Sequence, residues 1–345
     1  MTDLFGGLST PIVIGGLVAL ALVIGWAGTR MTTLADKIAD RTGLGEAITG
    51  GVLLGAATSL SGTVVSVTAA LSGDASLAFS NAIGGIAAQT VFLAVADLLH
   101  RRANLEHAGA EQEHMLQASF LMLLLSLPLF ALGTPDTAIF AIHPVSAVLV
   151  VVYIVSVITT ARIKEDPSWV AVTSPERRED EPEDEEEARR PIGPLIPEAL
   201  ILLAVLGGTG WLLANLAAVL IERFSLSSSF VGAAMTATIT SLPELVTTIA
   251  AVRRGALQLA IGGIIGGNTF DVLFLTISDA AYRDGSIYAA IGPGDLFWLA
   301  TGLVMTAILL TGLLVREKAG PGRIGTESVA LFAVYLAALG IQAWG

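Results

Sequence analysis

The chain has no cysteine in its 345 residues, which excludes disulfides, thiolate metal sites and a cysteine nucleophile and leaves no redox signal. Charge is scarce as well: Asp, Glu, Lys and Arg make up 14% of the residues, against 54% hydrophobic. The charges cluster between long apolar runs instead of marking one face of amphipathic helices. A water-soluble globular fold is thereby excluded. Histidine is rare too. His100, His107 and His114 share one polar stretch, and His143 stands beside Pro144. With no regular spacing and no partner acids, none is expected to be a ligand. No Ser/His or HExxH arrangement supports intramembrane hydrolysis, so the chain is not expected to be an enzyme and no cofactor is implied.

What is abundant is apolar sequence. Runs of about 20 apolar residues match a hydrocarbon core of roughly 30 Å when helical. Ten spans are expected, over residues 10–28, 47–72, 75–99, 115–133, 138–161, 194–219, 229–252, 257–278, 292–315 and 324–343. The fold class is therefore all-α, a polytopic membrane protein. The first run lacks a basic flank and is too long for a signal peptide, so it reads as a span. Sixteen of the 18 Lys and Arg residues fall in alternate loops on one side, leaving Arg223 and Arg283 on the other. The positive-inside rule makes the rich side cytoplasmic, with both termini outside a cell membrane.

Residues 162–193 break the pattern, with 11 acidic and 6 basic residues. This acidic stretch is expected to be a solvated cytoplasmic linker between a first five-span half, 1–161, and a second, 194–345. The halves share an ungapped repeat at an offset of 182. It pairs Thr58-Ser59-Leu60 with Thr240-Ser241-Leu242, Gly73 with Gly255, and Ile83-Gly84-Gly85 with Ile265-Gly266-Gly267. It continues through Phe92-Leu93 with Phe274-Leu275 and Asp97 with Asp279. Five spans separate the copies, so the second, about 229–279, lies inverted relative to the first, about 47–99. Inverted repeats place a substrate site near the bilayer midplane, on helices broken there.

The chemistry gathers in these repeats. Thr240-Ser241-Leu242-Pro243-Glu244 puts two hydroxyls, a residue without N–H and a carboxyl near the middle of span 7. Gly266-Gly267-Asn268-Thr269-Phe270-Asp271 puts Asn268 and Asp271 on one face of span 8. Glu244 and Asp271 are the only carboxylates expected deep in the spans. A protonated pair acting as helix glue is the bland alternative to a cation site. Asp97 and Asp279 lie near helix ends, where they are expected to reach water in structural or surface roles.

These motifs, repeated and inverted on spans 2–3 and 7–8 of ten, resemble the α-repeats of the calcium/cation antiporter superfamily, the sodium/calcium exchangers. The resemblance implies an ion site at Glu244 and Asp271, with Thr240, Ser241 and Asn268 beside them. The first repeat departs from it. Gly62 stands where the family has a second Glu, Gln89 closes the second motif, and Ile86 replaces its Asn. Thr58, Ser59 and Gln89 keep oxygen donors there without charge.

The resemblance implies a secondary active antiporter with alternating access, in which spans 1 and 6 slide across the bundle, helped by Gly15-Gly16 and Gly207-Gly208. Two carboxylates neutralise one Ca²⁺, two Na⁺, or one Na⁺ with one H⁺. The family favours sodium/calcium exchange, whereas the missing Glu favours a monovalent cation (Na⁺ or K⁺)/proton exchanger, because Ca²⁺ takes six to eight oxygens. A cation channel is the alternative from another class; unlike a channel, an exchanger stalls without a counter-ion. The partners implied are the lipid bilayer and the transported cations, with no nucleic acid, and nothing fixes an oligomeric state. The topology predicts that Ser174→Cys resists an impermeant thiol reagent in intact cells, whereas Thr2→Cys reacts. Labelling of Ser174→Cys from outside contradicts this orientation.

Overall fold

The computed structural model describes residues 5–42, 55–100, 104–134, 137–169, 191–318, 320 and 324–344. They form a bundle of helices. In the first half these are α1 (Thr10–Thr42), α2 (Gly55–Thr58), α3 (Leu60–Leu71), α4 (Ala75–His100), α5 (Leu105–Gly109), α6 (Gln112–Gly133) and α7 (Pro144–Glu165). In the second half they are α8 (Ile196–Phe224), α9 (Ser228–Thr240), α10 (Leu242–Arg254), α11 (Leu257–Asp271), α12 (Leu273–Ala281), α13 (Ile287–Ala290), α14 (Pro293–Val315) and α15 (Thr326–Trp344).

Among the described residues, eight helical stretches are long and apolar enough to cross a membrane, with α11 and α12 together making one of them. The pair α9 and α10, bent by 48°, makes a ninth. The remaining expected span, 47–72, is described only from residue 55 onward, and its first residues lie outside the described set. Most of the acidic linker, 170–190, lies outside it too. Spans begin and end differently from their apolar runs: α1 continues to Thr42, and the span expected from 138 starts at Pro144, behind a tight turn at 139–142.

Large apolar side chains such as Leu22, Trp26, Phe130 and Leu200 face outward, as a lipid-facing surface requires. The centre belongs to α4, whose residues from Leu77 to Leu93 are all buried. Small residues permit this. A Cβ added at Gly84 would overlap Ala233 of α9, so only glycine lets these helices approach so closely. Ala233 lies in a π-helical turn, Val231–Thr236, just before the break.

The offset of 182 organises the packing well beyond the motifs. Both repeats break at the same place, at Ser59 between α2 and α3 and at Ser241 between α9 and α10. Before each break a threonine hydroxyl donates to the carbonyl three residues back, Thr58 to Gly55 and Thr240 to Ala237. Pro243 is thus not needed for the break, because the first repeat makes it with Ser61 in that position. Both broken helices end on a left-handed glycine, Gly73 at φ 83° and Gly255 at φ 85°.

Asp97 and Asp279 correct the expectation that they reach water: both are buried. Asp97 accepts from the Leu105 and Gly325 N–H groups and the Ser328 hydroxyl. Asp279 accepts from the Ile287 and His143 N–H groups and the Ser146 hydroxyl, the same partners displaced by the same offset, and from Ser286 as well. Each ties the end of its half's third span to the last span of the other half or its own loop.

The long helices α1 and α8 obey the same symmetry. Gly28 of α1 lies against Pro243, and Gly210 of α8 lies against the backbone of Ser61, so closely that a Cβ at either would overlap. Of the glycine pairs singled out on these two helices, Gly15, Gly207 and Gly208 face open space, and a Cβ at Gly16 would stand 3.0 Å from the Leu216 side chain.

Removing Asp97 or Asp279 strands three or four buried donors, each costing about 1–3 kcal/mol. Asp97→Ala and Asp279→Ala should therefore each lower the thermal midpoint of the purified protein by far more than Asp284→Ala, a loop control. Equal midpoints would refute their role as fastenings.

Candidate functional site

The two breaks lie beside α4 and α11, which carry Gln89, Asn268 and Asp271, while Thr58, Ser59, Thr240, Ser241 and Glu244 stand at the breaks themselves. All eight residues expected from sequence are buried: Thr58, Ser59, Gln89, Thr240, Ser241, Glu244, Asn268 and Asp271. Glu244 sits in the first turn of α10, immediately after the break. There the free N–H groups of a helix start favour negative charge.

Gln89 and Asp271, equivalent positions of the two repeats, touch across the pseudo-twofold axis. The Gln89 amide donates to Asp271 Oδ2 at 2.6 Å and to Ser241 Oγ at 3.3 Å. Thr58 lies against the Glu244 carboxyl and Ser59 near Asp271 outside hydrogen-bonding geometry, so each first-repeat hydroxyl neighbours a second-repeat acid. Glu244 and Asp271 lie within electrostatic reach of each other. Asn268 donates to Thr90 Oγ1 at 3.1 Å, one residue from Gln89. Thr240 is occupied by its own helix carbonyl. The contacts thus join six of the expected residues, Thr58 with Glu244 and Ser59, Gln89 and Ser241 around Asp271, while Asn268 is held by Thr90 and the Thr240 hydroxyl serves the break.

Two glycines make the room. A Cβ at Gly85 would stand 3.7 Å from Ser241 Oγ and 3.8 Å from Asp271 Oδ2; one at Gly267 would stand 3.2 Å from Gln89 Oε1. Five buried oxygens of this region have no hydrogen-bond partner: Ser59 Oγ, Gln89 Oε1, Glu244 Oε2, Asn268 Oδ1 and Asp271 Oδ1. Buried acceptors without donors are costly, and a water, a proton or a cation can relieve them.

Sequence reasoning missed three residues here. Thr90 holds Asn268. Asn81 donates to the Gly62 carbonyl and to Ser66, and accepts from Thr236, bridging α3 to the π-turn. Phe274 fills the space above Gly62, where a Cβ would come to 2.9 Å from its ring. The repeat pairs Phe274 with Phe92, but only packing reveals that its ring lies over Gly62. His143 caps α7, its Nδ1 accepting from the Val145 N–H. Among the described residues, no three His, Asp or Glu side chains are arranged to hold a metal ion, so the region's charge rests on two carboxylates.

Gly62→Glu alone should therefore clash with Phe274, losing stability on the scale of about 1–3 kcal/mol for overpacking. Adding Phe274→Ala should recover it. Thermal midpoints of the single and double variants measure this, and an additive loss in the double variant would show that Phe274 does not fill the site of the missing acid.

A family model described as sodium/calcium exchanger protein matches residues 12–161 and 199–344. The inner membrane protein YrbG of Escherichia coli K12 is 34% identical over 129 residues, 36% of this chain and 37% of that protein. A putative antiporter, CaxA of Alkalimonas amylolytica, is 32% identical over 118 residues, 34% of this chain and 35% of that protein. The chain thus spans about a third of the length of the curated relatives it matches. The solved H⁺/Ca²⁺ exchanger CAX superposes with a TM-score of 0.65 at 13% identity, over 96% of this chain and 85% of the other. The sodium-calcium exchanger NCX_Mj superposes with a TM-score of 0.61 at 16% identity, over 96% and 99%. At these identities the superpositions establish the fold alone.

Proposed function

The chain belongs to the sodium/calcium exchanger family, and we propose that it is a secondary active antiporter that exchanges a small cation for protons at Glu244 and Asp271. The five unpartnered buried oxygens carry this reading. The neighbours of the two carboxylates are hydroxyls, an amide and each other, none of which supplies a compensating charge. An uncompensated carboxylate in a low-dielectric interior costs several kcal/mol. A proton or a metal cation removes that cost, and the two compete for the same oxygens. Competition for one site, exposed alternately to the two faces, is what couples the flows in an exchanger.

The same geometry bears on the choice of cation. Two carboxylates, one of them already accepting the Gln89 amide, fall short of the anionic shell that Ca²⁺ favours. Na⁺ or K⁺ in exchange for H⁺ is therefore the reading favoured by the site. Exchange of Ca²⁺ is the second reading, favoured by family membership and by the −2 charge of the deprotonated pair.

Purified protein in liposomes with an internal pH dye tests both. Added Na⁺ or K⁺ should drive proton efflux, and Glu244→Gln and Asp271→Asn should each slow it about tenfold or more, equivalent to ~1.4 kcal/mol. Gln89→Ala should do less, because water can partly replace an amide. A response to Ca²⁺ alone would decide for the second reading. Cation flux that persists without any counter-ion would overturn antiport itself.

A further inference from the structure

A second carboxyl cluster lies away from the ion site, where α5 meets the loop after α14 and the start of α15. Glu106 on α5 is fully buried, and neither of its carboxyl oxygens has a hydrogen-bond partner among the described residues. Its neighbours are Glu327 and Asp97. Asp97 is already saturated by its three donors, and Glu327 Oε1 accepts from the Asn104 amide. What faces Glu106 is thus a carboxylate with capacity to accept, and two carboxyl groups hydrogen-bond only if one carries a proton.

The surrounding seam is otherwise well fastened. The Asn104 amide donates to the Glu317 carbonyl, the Arg316 guanidinium donates to the His107 carbonyl, and His107 Nδ1 pairs with the Arg316 carbonyl. The titratable and charged groups of the elements packed there are Asp97 and His100 on α4, His107 on α5, Arg316, Glu317 and Lys318 in the loop, and Glu327 on α15. The Arg316 bond shown is to a backbone carbonyl and not to Glu106.

The repeat supplies an internal control. At the offset of 182, Tyr288 stands where Glu106 does, and Val145 stands where Glu327 does. The Tyr288 hydroxyl pairs with Ser146 at 3.1 Å beside Asp279, so the equivalent place on the opposite face is closed by a neutral O–H. Both faces use the same aspartate fastening, with a phenolic hydroxyl beside it on one face and the Glu106 carboxyl beside it on the other.

We propose that Glu106 is a proton-binding site outside the ion path, whose carboxyl O–H donates to Glu327 and fastens α5 to the start of α15. Loss of that proton to water sets two carboxylates against each other beside Asp97 and loosens this face, the one that the basic-residue asymmetry assigns to the cytoplasm. Burial, followed by the Glu327 and Asp97 charges, holds Glu106 well above the usual carboxylate range, in line with this geometry. The sign follows from linkage: with a raised folded-state pKa, the stability is fully present below the ordinary value of about 4.3 and is lost as pH rises through the folded value.

Thermal midpoints of the purified full chain, measured from about pH 5 to about pH 9, test it in three variants. Relative to Glu106→Gln, whose amide donates but cannot ionise, the wild type should lose roughly 2 °C or more on going to high pH. Glu106→Tyr, copying the opposite face, should be as flat as Glu106→Gln, and Glu327→Gln should shrink the slope by removing the facing charge. Infrared spectra of wild type minus Glu106→Gln near neutral pH should show the carbonyl stretch of a protonated carboxylic acid. Parallel pH slopes in wild type and Glu106→Gln, or no such band, would overturn the proposal. So would a Ca²⁺-dependent rise in midpoint at fixed pH that Glu106→Gln abolishes, since the cluster would then hold a metal ion.

Discussion

A carboxylate enclosed by membrane helices must be met by donors or by a counter-charge, and the way each acid of this chain meets that demand decides its part. Asp97 and Asp279 are met in full by N–H groups and hydroxyls, which makes them permanent fastenings. Asp295 is met in the same way by Ser76, Ser80 and the Gly292 N–H. Glu244 and Asp271 are met only in part, with one oxygen of each left open. Burial does not separate the two kinds: Asp97 is 1% exposed and Asp271 2%. The supply of donors does.

The inverted repeat shows which features are scaffold and which are chemistry. Positions that agree across the offset set backbone geometry: the threonines before the breaks, the left-handed glycines, the aspartate fastenings, and the glycines where α1 and α8 touch the broken helices. Positions that disagree carry or remove charge: Gly62 against Glu244, Gln89 against Asp271, Glu106 against Tyr288. A duplicated fold that packs against itself constrains its backbone contacts in both copies at once. Side chains between the breaks meet at one place, so the first copy can stand without an acid where the space is filled. Phe274 fills it.

Much of this was legible in the sequence, and the rest was hidden for identifiable reasons. The repeat could be read because ungapped Gly and Thr-Ser-Leu matches report backbone demands that few other residues meet. Glu244, Asp271 and their polar neighbours could be read because carboxyls and amides are rare in apolar runs. The burial of Asp97 and Asp279 could not, since an acid near a helix end reads alike whether a loop folds over it or water does, and the loop helix Leu105–Gly109 had no apolar run to announce it. Pro243 stands out in the sequence for its missing N–H, yet the break falls at the serine position in both copies. Contact glycines were sought in Gly-Gly pairs, whereas Gly28 and Gly210 are single residues whose importance comes from what crosses them.

Those two contacts tie the outer helices to the site. Arg30 pairs with Glu198 at 2.6 Å near one end of the α1 and α8 pair, and Arg223 holds Thr10 Oγ1 and the Leu8 carbonyl at the other, so the two helices are pinned to each other at both ends. Between the pins their shared surface is aliphatic, built from Val13, Leu17, Ile24, Leu213 and Leu220 with Val65 of α3. Such contacts have no preferred direction, so a shift of the pair across the bundle breaks few directed bonds. At Gly28 and Gly210, however, backbone meets Pro243 and Ser61, the residues immediately before Glu244 and Gly62. The Pro243 ring packs straight onto the Gly28 backbone, so α1 touches the helical turn that carries Glu244 with no side chain of its own between. Gly210 of α8 touches the equivalent turn at Ser61, where the first repeat has no acid, so a packing symmetry at the two breaks is joined to an electrostatic asymmetry.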